Sequence, residues 1–269
     1  MFERIRQHFR RDRRHQSAGR GDSARMQALP FYQHCMPAAS ERLKAINGRI
    51  LISDRYRFVY VRIPKCANST IVLALGLQEL GHDEAYWDAL EPEERRRFFS
   101  QTLKKETFRH PSDLQQDEAD QVVAEYRRVM FVRNPFSRVA SAYLDKIASG
   151  KYRERLDLPA DFDFPTFCDF LADGGLQRNI HWMPQTAITP FAIDSFDFIG
   201  RFESLDHDLA RLTRHIHGRE QPVITLASHA THAGERLDEL YGERERRMIA
   251  ELYADDFTAF GYDADELPG

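Results

Sequence analysis

Short β-branched apolar runs alternate along this chain with longer stretches of helical period, and that alternation predicts strands followed by helices. Residues 29–52 read as a short helix (SERLKAI) leading into a strand (RILIS), with Asn47-Gly48 as the turn between them. RFVYVRI, residues 57–63, is a second β-prone run that stops at Pro64. STIVLALGLQEL follows as an apolar helix with Asn68 or Ser69 as its N-cap. Residues 82–127 are charged and mostly helical, with a short strand end in LKKETFRH and a capping box of Ser112 with Gln115. RVMFVR, Asn134-Pro135 and FSRVASAYLDKIAS repeat the strand–turn–helix unit, with Asn134 as cap and Pro135 at the first helical position. FDFIGRFE is a further strand, SLDHDLARLTRHI a helix capped by Ser204, and ERERRMIAELYADDF a closing helix.

Strands alternating with helices predict an α/β fold in which a parallel sheet carries helices on both faces. In such sheets ligands lie beyond the carboxyl ends of the strands. The 269 residues suit one large domain, read as residues 29–269 behind a basic, flexible tail at 1–28. Hydrophobic residues at 42 % supply enough apolar surface for a core.

Charge changes the picture locally. The net charge of −4 argues against a general polyanion binder, so no nucleic-acid partner is expected. Yet residues 1–25 hold eight arginines against Glu3, Asp12 and Asp22, a formal +5 that leaves −9 on the remainder. This segment reads as a solvated tail or as a contact for anionic lipid. No window approaches the roughly 18 consecutive apolar residues of a membrane helix, and no apolar run follows the basic start as in a signal peptide. Cys35, Cys66 and Cys168 are widely spaced and form no ligand pattern, and His229 with His232 lacks a third ligand nearby, so no metal is expected. The expectation is a cytoplasmic chain with peripheral membrane contact through its tail.

Two strand–loop–helix junctions carry candidate chemistry. In RIPKCANST, residues 62–70, a helix start would turn backbone N–H groups toward an anion, Lys65 adds a mobile point charge, and Asn68, Ser69 and Thr70 add short donors. The lysine comes first and no glycine surrounds it, so this is not a GxxxxGK[ST] loop. No acidic residue is clearly placed to hold magnesium, and a phosphosulfate suits the loop better than a triphosphate. In FVRNPFSRVASAY, Arg133 at a strand end and Ser141 eight residues on can grip one phosphate across the Asn134-Pro135 turn. Taken singly, Arg133 could be a strand-end ion pair and Ser141 a small helix contact.

VRIPKCANST resembles the 5′-phosphosulfate loop of sulfotransferases, and FVRNPFSRVASAY closely resembles their 3′-phosphate site. HWMPQ, FDFIGRFESLDHDL and ADDFTAFGY are similar to the carbohydrate sulfotransferase branch, including bacterial members and the chondroitin and HNK-1 type enzymes. The resemblance runs from about residue 50 to 262. It implies a three-layer fold like that of P-loop NTPases, with a central parallel sheet flanked by helices. It also implies 3′-phosphoadenosine 5′-phosphosulfate as donor and a carbohydrate or glycolipid hydroxyl as acceptor. Arg62, Pro64, Lys65, Cys66, Ala67, Asn68, Ser69 and Thr70 would surround the phosphosulfate, while Arg133 and Ser141 would take the 3′-phosphate. Lys65 would stabilise the leaving phosphate. The acceptor hydroxyl needs a base, and Glu106, His110 and His181 are the candidates in that order. The animal relatives are typically Golgi-anchored, and the lack of an apolar span points to a soluble bacterial-type member. Two other classes compete: a P-loop-like kinase dependent on magnesium, and a non-catalytic module that holds a nucleotide or polyanion.

Overall fold

The computed structural model describes residues 24–35, 42–150, 152, 159, 161–218 and 236–268. The basic segment 1–23, and His229 with His232, lie outside the described residues. Four strands, β1 (Ile50–Ser53), β2 (Phe58–Val61), β3 (Arg127–Val132) and β4 (Phe198–Arg201), form one sheet in the order β1-β2-β3-β4. The main helices in chain order are α1 (Asn68–Leu80), α2 (Gln116–Glu125), α3 (Pro135–Tyr143), α4 (Phe164–Phe170), α5 (Leu205–His217), α6 (Glu243–Leu252) and α7 (Ala254–Phe260). The chain divides into two compact units.

The sheet unit comprises Asn47–Arg133 and Phe191–Ala230. β1 and β2 are buried at every position, as strands covered on both faces must be. β2, β3 and β4 run parallel, with helices in their crossovers, so the α/β class and the central sheet of parallel strands flanked by helices stand. One strand departs from the expectation. β1 pairs antiparallel with β2, in the register Ile50↔Val61 to Ser53↔Phe58. The cause is the connection, Asp54–Arg57, which is too short for the crossover that parallel neighbours require and closes a hairpin instead. LKKETFRH does hold a strand end, a single antiparallel bridge between Arg109 and Ile52 on the free edge of β1.

α1 is buried continuously from Thr70 to Leu77, which its unbroken apolar run requires. At Gly76 an added Cβ would lie 2.6 Å from Leu103 Cδ2, so glycine permits the close approach of the 98–106 segment. Two capping expectations fail, and a third holds in position alone. Ala67, not Asn68 or Ser69, precedes the first helical residue of α1. α2 starts after Gln115, whose N–H donates to Glu118, because Ser112 is taken up in a separate short turn. Ser204 does stand at the N-cap of α5, but its hydroxyl donates to Asp208 instead of accepting from the helix, and the Asp208 carboxylate also accepts the Arg201 N–H and so ties the end of β4 to α5.

The helical unit comprises Met1–Ile46, Asn134–Pro190 and Thr231–Gly269. Asn134 and Pro135 start α3 as expected, with the Asn134 side chain accepting from the Phe136 N–H. All nine residues of α3 are buried, and α6 packs against α3 and α4. Aromatic rings fill the space between: Phe136, Phe164, Phe167, Trp182, Tyr241, Tyr253 and Phe257 belong to one cluster. Several polar groups that this burial traps are bonded internally. Trp182 Nε1 donates to Gly175 O, Tyr241 Oη to Phe136 O, and Tyr253 Oη to Trp182 O. The single closing helix expected at the C-terminus is two, α6 and α7, broken at Tyr253.

Candidate active site at the carboxyl edge of the sheet

β2 and β3 both end at one edge of the sheet, and because β1 is antiparallel its first residue lies at that edge too. The 62–70 loop leaves this edge. Lys65 and Ala67 both have left-handed backbone, with φ of 72° and 53°. Neither is glycine, and each such residue costs about 1–2 kcal/mol. Left-handed residues spaced in this way turn successive N–H groups toward one side, the concavity that binds anions. Ala67 has no side chain with which to cap α1, and Asn68 is occupied elsewhere, accepting from Tyr60 Oη at 3.0 Å and donating to Ile63 O at 2.7 Å. Burial raises the Tyr60 hydroxyl well above the usual tyrosine range, so it remains a donor to Asn68. The first turn of α1 therefore meets solvent with its dipole uncapped and no acidic residue in it, a setting for a bound anion. Ser69 is exposed and Thr70 buried, while Cys66 is buried and turns its Sγ to Pro64 O.

Arg133 follows β3 at the same edge. It is only 6 % exposed. One guanidinium nitrogen donates to Lys65 O at 3.3 Å, and the guanidinium carbon lies 3.9 Å from the centre of the Phe202 ring. The second candidate loop is thus tied to the first through the backbone of its lysine. Stacking on Phe202 orients the planar cation at this edge.

The three candidate bases fall in different places. Glu106 ends the helical 98–106 segment and is exposed. His110 follows the bridge to β1. The bridge at Ile52↔Arg109 carries the chain antiparallel to β1, so each residue beyond it moves toward the carboxyl edge of β2. His110 is half-buried there, with Nδ1 2.8 Å from Ile50 O. A carbonyl oxygen only accepts, so Nδ1 carries the hydrogen and Nε2 of the neutral ring keeps the lone pair. Arg109 anchors the turn from the other side, reaching Asp54 at 3.1 Å and Glu118 at 2.7 Å. His181 belongs to the helical unit, where Asn179 Oδ1 holds both its backbone N–H and its Nδ1. Ser141, also in that unit, is buried within α3.

Sequence reasoning passed over three side chains at this edge: Arg49, Tyr60 and Phe202. A four-residue link between two β-prone runs is a hairpin signal. Reading it so would have placed Arg49 opposite Arg62. Nothing in the order of residues pointed to Phe202 beneath Arg133. Among the described residues no group of three or more His, Cys, Asp or Glu could hold a metal ion, and no helix is long and apolar enough to cross a membrane.

The family model described as "Sulfotransferase family" matches residues 48–263 of the 269, which takes in every strand and both loops. The chain belongs to the sulfotransferase family. It is similar to carbohydrate sulfotransferase 14 of Homo sapiens, 29 % identical over 184 residues, covering 61 % of this chain and 46 % of that protein. It is similar also to carbohydrate sulfotransferase 8 of Mus musculus, 26 % identical over 200 residues (63 % of this chain, 44 % of that one), and of Homo sapiens, 25 % identical over 259 residues (80 % and 55 %). The chain spans about half the length of the curated relatives it matches. No solved structure matches it significantly.

Proposed function

We propose that this protein transfers a sulfuryl group to a hydroxyl of a carbohydrate acceptor, at the carboxyl edge of the sheet. The observation that carries the reading is the bond from Arg133 to the carbonyl of Lys65, which joins two anion-binding loops at one edge. When bound, 3′-phosphoadenosine 5′-phosphosulfate supplies the sulfuryl group and a phosphate as leaving group. The chain's residues fit it: an uncapped helix start with left-handed turns before it, a lysine in the loop, and a buried arginine alongside.

Lys65 stabilises the charge that develops on the leaving phosphate oxygen as the sulfur–oxygen bond lengthens. The N–H groups at Asn68 and Ser69 hold the non-bridging oxygens. Arg133 grips the 3′-phosphate, and Ser141 keeps the 3′-phosphate role that the resemblance gives it. His110 is the base in this reading, ahead of Glu106 and His181, because its tautomer is fixed by Ile50 O and its free nitrogen stands at the sheet edge from which the Lys65 loop departs. It accepts the acceptor's hydroxyl proton at Nε2 as the new oxygen–sulfur bond forms.

The test is release of 3′-phosphoadenosine 5′-phosphate from the phosphosulfate donor in the presence of a mixed oligosaccharide pool. Acceptor-dependent release by the wild type, lost in Lys65→Ala, supports the reading. Binding of the donor with no acceptor-dependent release from any sugar favours the non-catalytic module instead.

A further inference from the structure

The hydroxyl of Tyr60 is more than packing requires. Tyr60 is fully buried in β2, two residues after Phe58, which fills the same face of the strand with a plain ring. A buried hydroxyl costs free energy unless it is bonded. Tyr241 and Tyr253 meet that need against main-chain carbonyls, Phe136 O and Trp182 O. Tyr60 instead donates to a side chain, Asn68 Oδ1, at 3.0 Å. The same amide donates from Nδ2 to Ile63 O at 2.7 Å. A carbonyl only accepts, so the amide has one orientation here, and in it only a donor can face Oδ1. Donation therefore runs from Tyr60 to Asn68 to Ile63 O, and Tyr60 sets its direction.

The bond from Asn68 to Ile63 O ties the exit of the Lys65 loop to its entrance. Pro64 to Ala67 lie between, and two of these residues, Lys65 and Ala67, are left-handed. Strain of that kind persists only where the surroundings over-determine it. The Asn68 amide is such a constraint at the neck of the loop, and Tyr60 fixes the amide. The arrangement also decides what the first turn of α1 offers. Asparagine at a helix start readily turns its side chain onto nearby backbone N–H groups. Here Tyr60 and Ile63 occupy that side chain, and among the described residues no side chain caps the turn. The N–H groups at Asn68 and Ser69 stay open to an anion.

We propose that Tyr60 is a positioning residue for the 5′-phosphosulfate end of the donor: acting through Asn68, it clamps the neck of the Lys65 loop and keeps the start of α1 uncapped. Being fully buried, it contacts no ligand itself. The assignment rests on the sulfotransferase reading, which puts the 5′ end of the nucleotide in this loop. It adds that the affinity contributed by the 5′-phosphate depends on a hydroxyl in β2.

The experiment is calorimetric binding to the full chain of two probes, 3′-phosphoadenosine 5′-phosphate and adenosine 3′-monophosphate, which lacks the 5′-phosphate. The ratio of their affinities reads the Lys65 loop, since everything else in the two probes is shared. Wild type is expected to bind the bisphosphate about a hundredfold more tightly. Tyr60→Phe, which keeps the ring, is expected to cut that ratio about tenfold and to leave adenosine 3′-monophosphate within about twofold of wild type. Asn68→Ala is expected to cut the ratio at least as much. Combining the two substitutions is expected to cost no more than Asn68→Ala alone, because the hydroxyl acts through the amide. A merely structural hydroxyl would lower the thermal midpoint and leave the ratio as it was, and that result overturns the proposal. So does a double variant whose losses multiply, or an equal loss of affinity for both probes. Should Tyr60→Phe fail to fold, Asn68→Ala, at a half-buried position, must cut the ratio by itself or the proposal falls. A wild type that binds both probes equally sinks the sulfotransferase reading and the proposal with it. A wild-type preference that both variants keep sinks the proposal alone.

Discussion

Arg62 and Arg138 are buried to nearly the same depth, at 8 % and 0 % exposure, in opposite surroundings. Arg138 lies in the helical unit and donates to Met183 O at 2.8 Å and Ile180 O at 3.3 Å, closing the backbone around the Trp182 segment. Arg62 lies in the sheet unit with its Nε unpartnered. The contrast extends to the regions around them. In the helical unit, tyrosine, tryptophan and carboxylate groups are bonded inward; Asp256, fully buried, accepts from Gln185 N, Thr186 N and Thr186 Oγ1. At the sheet edge a helix start is uncapped, two non-glycine residues are left-handed, and cations accumulate in strand order as Arg49, Arg62 with Lys65, Arg133 and Arg201. Burial alone does not mark function. Nor does one unpartnered atom, since Arg128 Nε and Arg178 Nη1 are buried without a hydrogen bond too; what marks the edge is the convergence of an uncapped helix start, left-handed backbone and cations.

Substitutions should divide along the same line, turnover failing at the edge and stability in the helical unit. The largest effect is expected for Lys65→Ala, a loss of about a thousandfold in turnover with the fold intact, by analogy with removal of a transition-state charge donor. A thermal midpoint that dropped along with activity would blur the division. His110→Ala should cut turnover by about a hundredfold or more while nucleotide affinity stays near wild type. Equal losses in both would remove it as the base and return Glu106 and His181 to contention. Arg138→Met should leave the Met183 and Ile180 carbonyls unanswered and cost about 3 kcal/mol in denaturant unfolding, with little change in nucleotide affinity per folded molecule.

The smallest expected effect is on pH. Burial opposes the charge of Asp208, but donation from Arg201 N–H, Ser204 and Arg211 outweighs it and holds the carboxyl below the usual aspartate range. A folded value below the unfolded one contributes stability that is present above the ordinary aspartate range and lost as pH falls through the folded value. Asp208→Asn should therefore flatten the acid side of the midpoint-versus-pH curve, below about pH 4, and leave neutral turnover unchanged. An unaltered acid limb would show that Asp208 has no such role.

Much of this was legible in the residues. The strand–loop–helix units at 57–80 and 128–148 are readable because β-branched runs stop at proline turns and apolar helices follow, and both loops sit where those patterns put them. The hairpin of β1 was harder to read. RILIS and RFVYVRI look alike as runs, and only the length of Asp54–Arg57 distinguishes a turn from a crossover. That one reading hid the Arg49–Arg62 pair, since a parallel β1 would have started at the opposite edge. The side-chain caps fail for a local reason: Asn68 and Ser204 have nearby side chains, Tyr60 and Asp208, that compete with the helix N–H groups for them. His110 is distinguished from Glu106 only by a bridge between residues far apart in sequence, Ile52 and Arg109, and a short strand end of this kind has no periodic signature.

The central claim, that the edge holds a 3′-phosphorylated nucleotide through Arg133, is tested most directly by calorimetric binding of 3′-phosphoadenosine 5′-phosphate against AMP and ATP, for wild type and Arg133→Ala. The account predicts that wild type binds the 3′-phosphorylated compound far more tightly, and that Arg133→Ala removes the preference while still folding. Equal or tighter binding of ATP with magnesium by the wild type would contradict it and put a kinase in its place.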